Sequence, residues 1–394
     1  MMILVNLFVL LILVAGHAEL VVTLVNGLHA RRILESRLRH LRHAHDAAIL
    51  GFPCVVLWFV GLSGPGLLVG GSWRDVPAGW TAYFVACGVG AILLAFSSLR
   101  WWRKKIPAAQ LSNHSWTVDV AQRLGRRPVG EGPFRFLTRV PGNEIFQVEV
   151  SEKRYRLPRL PREWHGLSIL HLSDLHFIGT VERAYFEEVA ALARELQPDL
   201  VVFTGDLLDR EELVDWLPAT LGRLNAPLGC HYILGNHDWF LDPQPIRETL
   251  NALGWRDLSG TTTRLERGGK GIVLGGSERP WMGAHPDFST ANPDDLRILL
   301  SHTPDNLPWA REQKIGLMLS GHNHGGQVVL PILGPIYSPS RYGVKYAGGV
   351  FFEEPTLLYV SRGLSARHPL RWNCPPELTK LVLESPAADA CPSL

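Results

Sequence analysis

The sequence predicts an α/β protein of mixed β-sheets flanked by helices, preceded by an α-helical membrane region of three spans. Three observations carry that expectation. Apolar content is concentrated at the front: residues 49–70 and 78–99 hold no charged side chain, and 2–25 hold only Glu19. From about residue 165 short apolar runs alternate with helical segments, the pattern of layered α/β domains. Five of those runs end in a small residue followed by Asp, Asn or His.

Composition narrows the function classes. The chain has 394 residues, 46% hydrophobic and 19% charged, with a mean hydropathy of +0.06. An apolar content this high excludes a disordered chain. Residues 1–105 carry ten Lys/Arg and four Asp/Glu; a front end of +6 leaves −4 for the rest of a chain whose total is +2. The body has no excess of basic charge, so nucleic acid is not an expected partner. Five Cys show neither a disulfide framework nor a CxxC zinc pattern, which fits a reducing compartment.

Taken in order, residues 1–105 form the transmembrane region, with spans at 2–25, 49–70 and 78–99, each near the 20 residues a bilayer requires. The first is read as a span and not a cleaved signal: its Met1-Met2-Ile3 start lacks a basic residue and no A-x-A-like site closes it. Arg31, Arg32, Arg37, Arg39 and Arg42 follow span one, and Arg100, Arg103, Lys104 and Lys105 follow span three. Three crossings put both basic flanks on one face, so the positive-inside rule predicts a multi-pass inner (cell) membrane protein with its body in the cytoplasm. His17 and Glu19 are expected near the cytoplasmic end of span one, paired with a neighbouring helix or headgroups. The stretch 28–46, with His29, His40, His43 and His45, reads as a basic helix on anionic headgroups more than as a metal tract.

Residues 106–143, rich in Pro, Gly and Arg, read as a linker to a globular domain at 144–388, followed by a tail at 389–394. Phe146, Val148 and Val150 alternate with polar residues and predict an edge strand before the Pro158–Pro161 break. Tyr185, Val189, Leu192 and Leu196 recur at helical spacing.

The five run ends carry the chemistry. Ser168–Leu172 leads into Asp174-Leu175-His176, and Leu200–Phe203 into Gly205-Asp206. Tyr232–Leu234 leads into Gly235-Asn236-His237-Asp238. Ile298–Leu300 leads into His302, and Leu317–Leu319 into Gly321-His322-Asn323-His324. Singly, such residues are ordinary: an Asp after a strand often caps a helix, and a lone His is usually a satisfied surface or core group. Together, at the carboxyl ends of strands where open sheets place their sites, they can converge. His165, His171, His231 and His285 lie outside the motifs and are expected to be structural.

Those five motifs and the sheet pattern between them resemble the calcineurin-like metallophosphoesterase superfamily over residues 165–385. Gly321-His322-Asn323-His324-Gly325-Gly326-Gln327, Pro339-Ser340-Arg341-Tyr342-Gly343, Ser361-Arg362-Gly363 and Pro375-Pro376-Glu377 are similar to its membrane-associated bacterial phosphodiesterase branch. Asn323 stands where that branch usually has Thr, between ligand positions. The resemblance implies a layered sandwich holding two divalent metal ions, manganese first, with iron or zinc as alternatives. It implies Asp174, His176 and His324 around one ion, Asn236, His302 and His322 around the other, and Asp206 bridging. His237 would face the substrate, with Asp238 orienting its ring and Asp209 supporting the loop. Ligands of this kind suit borderline-hard dications. Two dications, two carboxylates and a bridging hydroxide leave the site near +1, attractive to a phosphoryl group that the hydroxide would attack.

The expected function is hydrolysis of a phosphodiester or pyrophosphate bond, on a lipid-linked substrate such as UDP-2,3-diacylglucosamine, which enzymes of that branch cleave. Arg341 and Tyr342 are candidates to contact the substrate phosphate or nucleotide, with a structural loop as the alternative reading. A phosphomonoesterase or protein phosphatase with the same metal site is the alternative, and a non-catalytic membrane scaffold a third.

Overall fold

The computed structural model describes residues 1–386; the tail 389–394 lies outside them. The chain divides into two compact units, Met1–Lys104 with Leu330–Lys345, and Lys105–Val329 with the chain from Tyr346 onward.

The first unit is helical. Helices α1 (Met2–His29), α2 (Glu35–Val56, running on through a π-helical turn at Leu57–Leu62) and α3 (Ala78–Trp102) are each long and apolar enough to cross a membrane. Leu10, Leu13, Val56, Val60, Phe84 and Cys87 pack between them. The basic stretch expected as a separate surface helix instead supplies the first turns of α2, because nothing between Glu35 and Ile49 breaks a helix. The second helix stops at Leu62, where Ser63-Gly64-Pro65-Gly66 turns the chain. His17 is buried and paired with its neighbours, at 2.6 Å from Tyr83 Oη and 3.1 Å from the Ala48 carbonyl. The unit also holds the 330–345 insertion, and with it Arg341 and Tyr342.

The second unit is a two-sheet sandwich. Strand β1 (Gln110–Asp119) and a single helical turn, α4 (Val120–Arg123), precede β2 (Gln147–Arg156) and β3 (Leu167–Leu172). Helix α5 (Arg183–Glu195), β4 (Leu200–Thr204), β5 (Cys230–Ile233), α6 (Asn236–Phe240), α7 (Pro243–Ala252) and β6 (Trp255–Asp257) follow. Then come β7 (Thr262–Arg267), β8 (Lys270–Ser277), β9 (Leu296–Ser301), α8 (Leu307–Glu312) and β10 (Leu317–Ser320). In chain order a two-stranded ribbon of β11 (Val329–Leu330) and β12 (Gly334–Pro335), the latter counted in the helical unit, comes before β13 (Gly349–Glu353), β14 (Thr356–Val360) and β15 (Glu377–Glu384) of the sandwich. One sheet has the order β1-β2-β15-β3-β4-β5-β6, the other β13-β14-β10-β9-β8-β7.

Alternation within single strands shows why the sheets stack. In β3 and β4, Ile169, Leu200 and Val202 face a core shared with Ile298, Leu317, Leu319 and Tyr359 of the second sheet. Their neighbours Leu170, Val201 and Phe203 face the opposite core, where α5 buries Tyr185, Phe186, Val189 and Leu192. Both faces are covered, so the runs are apolar throughout. The expected edge strand is interior: β2 lies between β1 and β15. The edge falls to β1, within the segment 106–143 expected as a linker, and its residues Leu111–Thr117 are all exposed. Parallel strands β3, β4 and β5 of one sheet and β9 and β10 of the other end in the five motifs.

Candidate metal centre

Each motif begins where a strand stops, and the backbone there is forced. Asp174, His176, Asp206, His322 and His324 have φ of 56°, 46°, 59°, 70° and 51°, the left-handed region that non-glycine residues rarely adopt. Such residues cost roughly 1 kcal/mol or more each and cluster at functional sites. The small residues before the ligands permit the crowding. A Cβ on Gly235 would stand 2.2 Å from Asp206 Oδ1, and one on Gly321 1.9 Å from Ser173 Oγ.

The predicted side chains meet in two buried sets. Ligand atoms of Asp174, His176 and His324 lie within 4.8 Å of one another, as do those of Asp206, His302 and His322. The imidazole orientations are informative. His176 Nδ1 donates to Asp209 Oδ2 at 2.9 Å and His302 Nδ1 donates to the Thr204 carbonyl at 2.7 Å. In the neutral rings that leaves a lone pair on each Nε2. His176 Nε2 nevertheless faces His324 Nε2 at 3.2 Å, and His302 Nε2 faces His322 Nδ1 at 3.1 Å. Asp206 Oδ1 accepts the His237 amide at 2.8 Å, while its Oδ2 stands 3.1 Å from His302 Nε2 and 3.7 Å from His176 Nε2, between the two sets. Asn236 Oδ1 is buried and has no hydrogen-bond partner. His176 and His302, each fixed from behind by a second group, turn lone pairs toward the Asp206 carboxylate, an arrangement that cations complete. The donor set fits two divalent ions.

The same groups also shift one another's ionisation. Burial alone would raise the Asp206 carboxyl, but His302, His237 and His176 hold it well below the usual carboxylate range. Burial raises Asp174. His302 is disfavoured as a cation by burial, yet Asp206 and Asp174 push it up to about 9. His324 falls well below its ordinary value through burial and the nearby His176 and Arg371.

His237 joins the rim by an unexpected partner. Its Nδ1 donates to Asp209 Oδ1 at 2.6 Å, so one carboxylate holds both His176 and His237. Asp238, expected to orient that ring, instead accepts four backbone amides, from Gly235, Asp206, Leu207 and Leu208, at 2.9–3.0 Å. Adjacent residues on the turn of α6 point in different directions, which is why the nearer carboxylate in sequence is not the nearer one in space. Arg341 and Tyr342 lie in the helical unit, their side chains stacked with the guanidinium 5.2 Å from the ring centre. His171, His231 and His285 have structural contacts, to Thr204, Leu228 and Ser277.

Three further groups were not legible in the motifs. Trp281 packs edge-on to His302 and His322, at 5.6 and 5.0 Å between ring centres. Arg371 is fully buried and donates to the His324 carbonyl at 2.9 Å. Arg367 Nη1 lies 3.9 Å from Asp209 Oδ1 with a quarter of its side chain exposed. Only Asp209 carried a signal, its place three residues beyond Asp206.

The profile of the calcineurin-like phosphoesterases matches residues 167–326, the stretch from β3 through the last histidine of the centre. The uncharacterised metallophosphoesterase YkuE of Bacillus subtilis is 32% identical over 257 residues, covering 61% of this chain and 87% of that protein. The chain belongs to the calcineurin-like phosphoesterase family. It is a hydrolase, and members of the family use two divalent metal ions. Escherichia coli phosphodiesterase YaeI is 31% identical over 58% of this chain and 87% of its own length. The UDP-2,3-diacylglucosamine pyrophosphatase LpxG of Chlamydia muridarum is 27% identical over 59% and 88%.

Proposed function

We propose that the chain is a membrane-anchored, dinuclear-metal phosphoesterase that cleaves a phosphodiester or pyrophosphate bond. The substrate is lipid-linked, of the UDP-2,3-diacylglucosamine kind, and the catalytic unit is cytoplasmic, on the inner face of the cell membrane. The observation that carries the reading is Asp206 Oδ2, standing between two sets of imidazole nitrogens that face one another. Similarity to a phosphodiesterase and to a pyrophosphatase supports the bond type, and three apolar helices support the anchor.

In this reading Asp174, His176 and His324 hold one ion, Asn236, His302 and His322 the other, and Asp206 both. Bound there, the ions, manganese first, supply Lewis-acid stabilisation of phosphoryl charge and an acidified water. The chain supplies the rest. Asp209 accepts the His237 Nδ1 proton, so that the ring, protonated also at Nε2, would give that second proton to the leaving oxygen and return to the neutral tautomer. Trp281 keeps water from one flank of the second set. Arg367 is placed to meet a phosphate oxygen beside His237.

The decisive experiment incubates detergent-solubilised full-length protein, loaded with Mn²⁺, with lipid-linked pyrophosphates, an aryl phosphodiester and the matching monoester. Diester or pyrophosphate cleavage is expected; clear preference for the monoester would replace this reading with that of a phosphomonoesterase. His237→Ala should retain near-normal metal and lose turnover by roughly 10²–10⁴-fold. Asp206→Ala should lose metal and activity together, and a fully active variant would remove the bridging role.

A further inference from the structure

Residues 330–345 are inserted in the catalytic sequence yet form part of the helical unit. Their tip, Pro331-Ile332-Leu333, is apolar and is tied to the last turns of α3. Ser98 Oγ donates to the Leu333 carbonyl at 3.1 Å, and the Trp102 indole N–H donates to the Ile332 carbonyl at 2.8 Å. Gly334, at φ 78°, lets the Trp101 ring close over the chain: a Cβ there would stand 2.8 Å from it. Further along, the Ser338 amide donates to Asn26 Oδ1 on α1 at 3.2 Å. The insertion is therefore held at several points, while Ile332 itself is 74% exposed.

What covers that side chain follows from its height along the helix. At about 1.5 Å per residue, Gly79 to Ser98 spans roughly 29 Å, close to the ~30 Å apolar thickness of a bilayer. Ser98 is then the boundary residue, and beyond it come Trp101, Trp102, Arg100, Arg103 and Lys104, the aromatic and basic residues of a headgroup belt. Phe96 and Leu99 are exposed on the same turns. An exposed isoleucine hydrogen-bonded to this level by its own backbone continues the lipid-facing surface of α3. We propose that the 330–335 hairpin is a membrane-seated element, with Ile332 at the boundary between the headgroups and the acyl chains. The inference rests on the reading that the three helices cross a bilayer.

The test uses full-length protein in phosphatidylcholine–phosphatidylglycerol nanodiscs, with Cys54 and Cys391 replaced by alanine. An environment-sensitive fluorophore is attached to Ile332→Cys, to Ile92→Cys on the exposed face of α3, or to Asp294→Cys on the exposed surface of the catalytic unit. Quenching is compared between iodide in water and a nitroxide on the lipid near its headgroup. At position 332 lipid quenching is expected, with iodide quenching several-fold weaker than at 294. Iodide quenching at 332 equal to that at 294, with 92 shielded, would overturn the seating of the hairpin alone. Iodide quenching at 92 would instead overturn the spanning helices on which it rests. Adding Gly334→Ala should raise iodide access at 332 by displacing Trp101, and unchanged quenching would refute that docking.

Discussion

Asp209 places one carboxylate behind two imidazoles, and both of its oxygens are committed, to His176 at 2.9 Å and to His237 at 2.6 Å. Burial opposes its charge, but the two rings keep it well below the usual carboxylate range. Asp209→Asn conserves shape and inverts function at one oxygen, where an amide N–H would confront an imidazole N–H. Turnover should fall roughly 10²-fold, the lower range for a positioned acid–base group, while elemental analysis finds most of the metal retained, because Asp174 and His324 would still hold the proposed ion. Full activity in the asparagine variant would show that the His237 tautomer does not matter. The seven expected ligands were legible because each follows an apolar run; Asp209 was legible only as a loop residue, since its partner ring is 28 residues away.

At the scale of elements, the site is a set of loops pinned to strand ends. Asp238 ties the turn after β4 to the turn after β5 through four amides, and with no cation to pair, burial and Asp206 raise its carboxyl to about 6. Asp238→Ala would leave those amides buried without acceptors. A loss of roughly 1–3 kcal/mol per orphaned group is expected, seen as a lowered unfolding midpoint together with weakened metal binding; an unchanged midpoint would mean the two turns hold themselves. All five motif strands could be read from their apolar runs, because strands covered on both faces are apolar along their whole length. Strand β1 could not. Its exposed outer edge needs no apolar alternation, so Gln110–Asp119 looked like linker. Nor did any local pattern reveal that residues 330–345 take their partners from helices some 230 to 310 positions earlier.

For the whole molecule, stability should depend on metal and on pH. A ligand that binds only the folded form adds about 2.7 kcal/mol at a hundredfold its dissociation constant, roughly 5–10 °C in Tm for a unit of this size. Thermal unfolding after chelation and after Mn²⁺ reloading checks this, and a midpoint indifferent to manganese, iron and zinc would count against the centre. The second lever is Glu377, buried with Lys153 and Arg362, whose charges outweigh burial and bring it down from 4.5 to about 2. A depressed carboxyl stabilises the fold above its unfolded pKa and loses that contribution as pH falls. Wild type should therefore weaken between about pH 4.5 and 2, by on the order of 3 kcal/mol. Glu377→Gln should be less stable at pH 7 and flatter across that window; a parallel pH profile would assign the acid response elsewhere. The left-handed turns at Asp174, His176, Asp206, His322 and His324 also bear on how such a protein would decay. A lineage that stopped needing its chemistry would be free to relieve those five kinks, and glycine or asparagine would enter there before anything else. Keeping Asp and His there costs the fold backbone ease at five places at once.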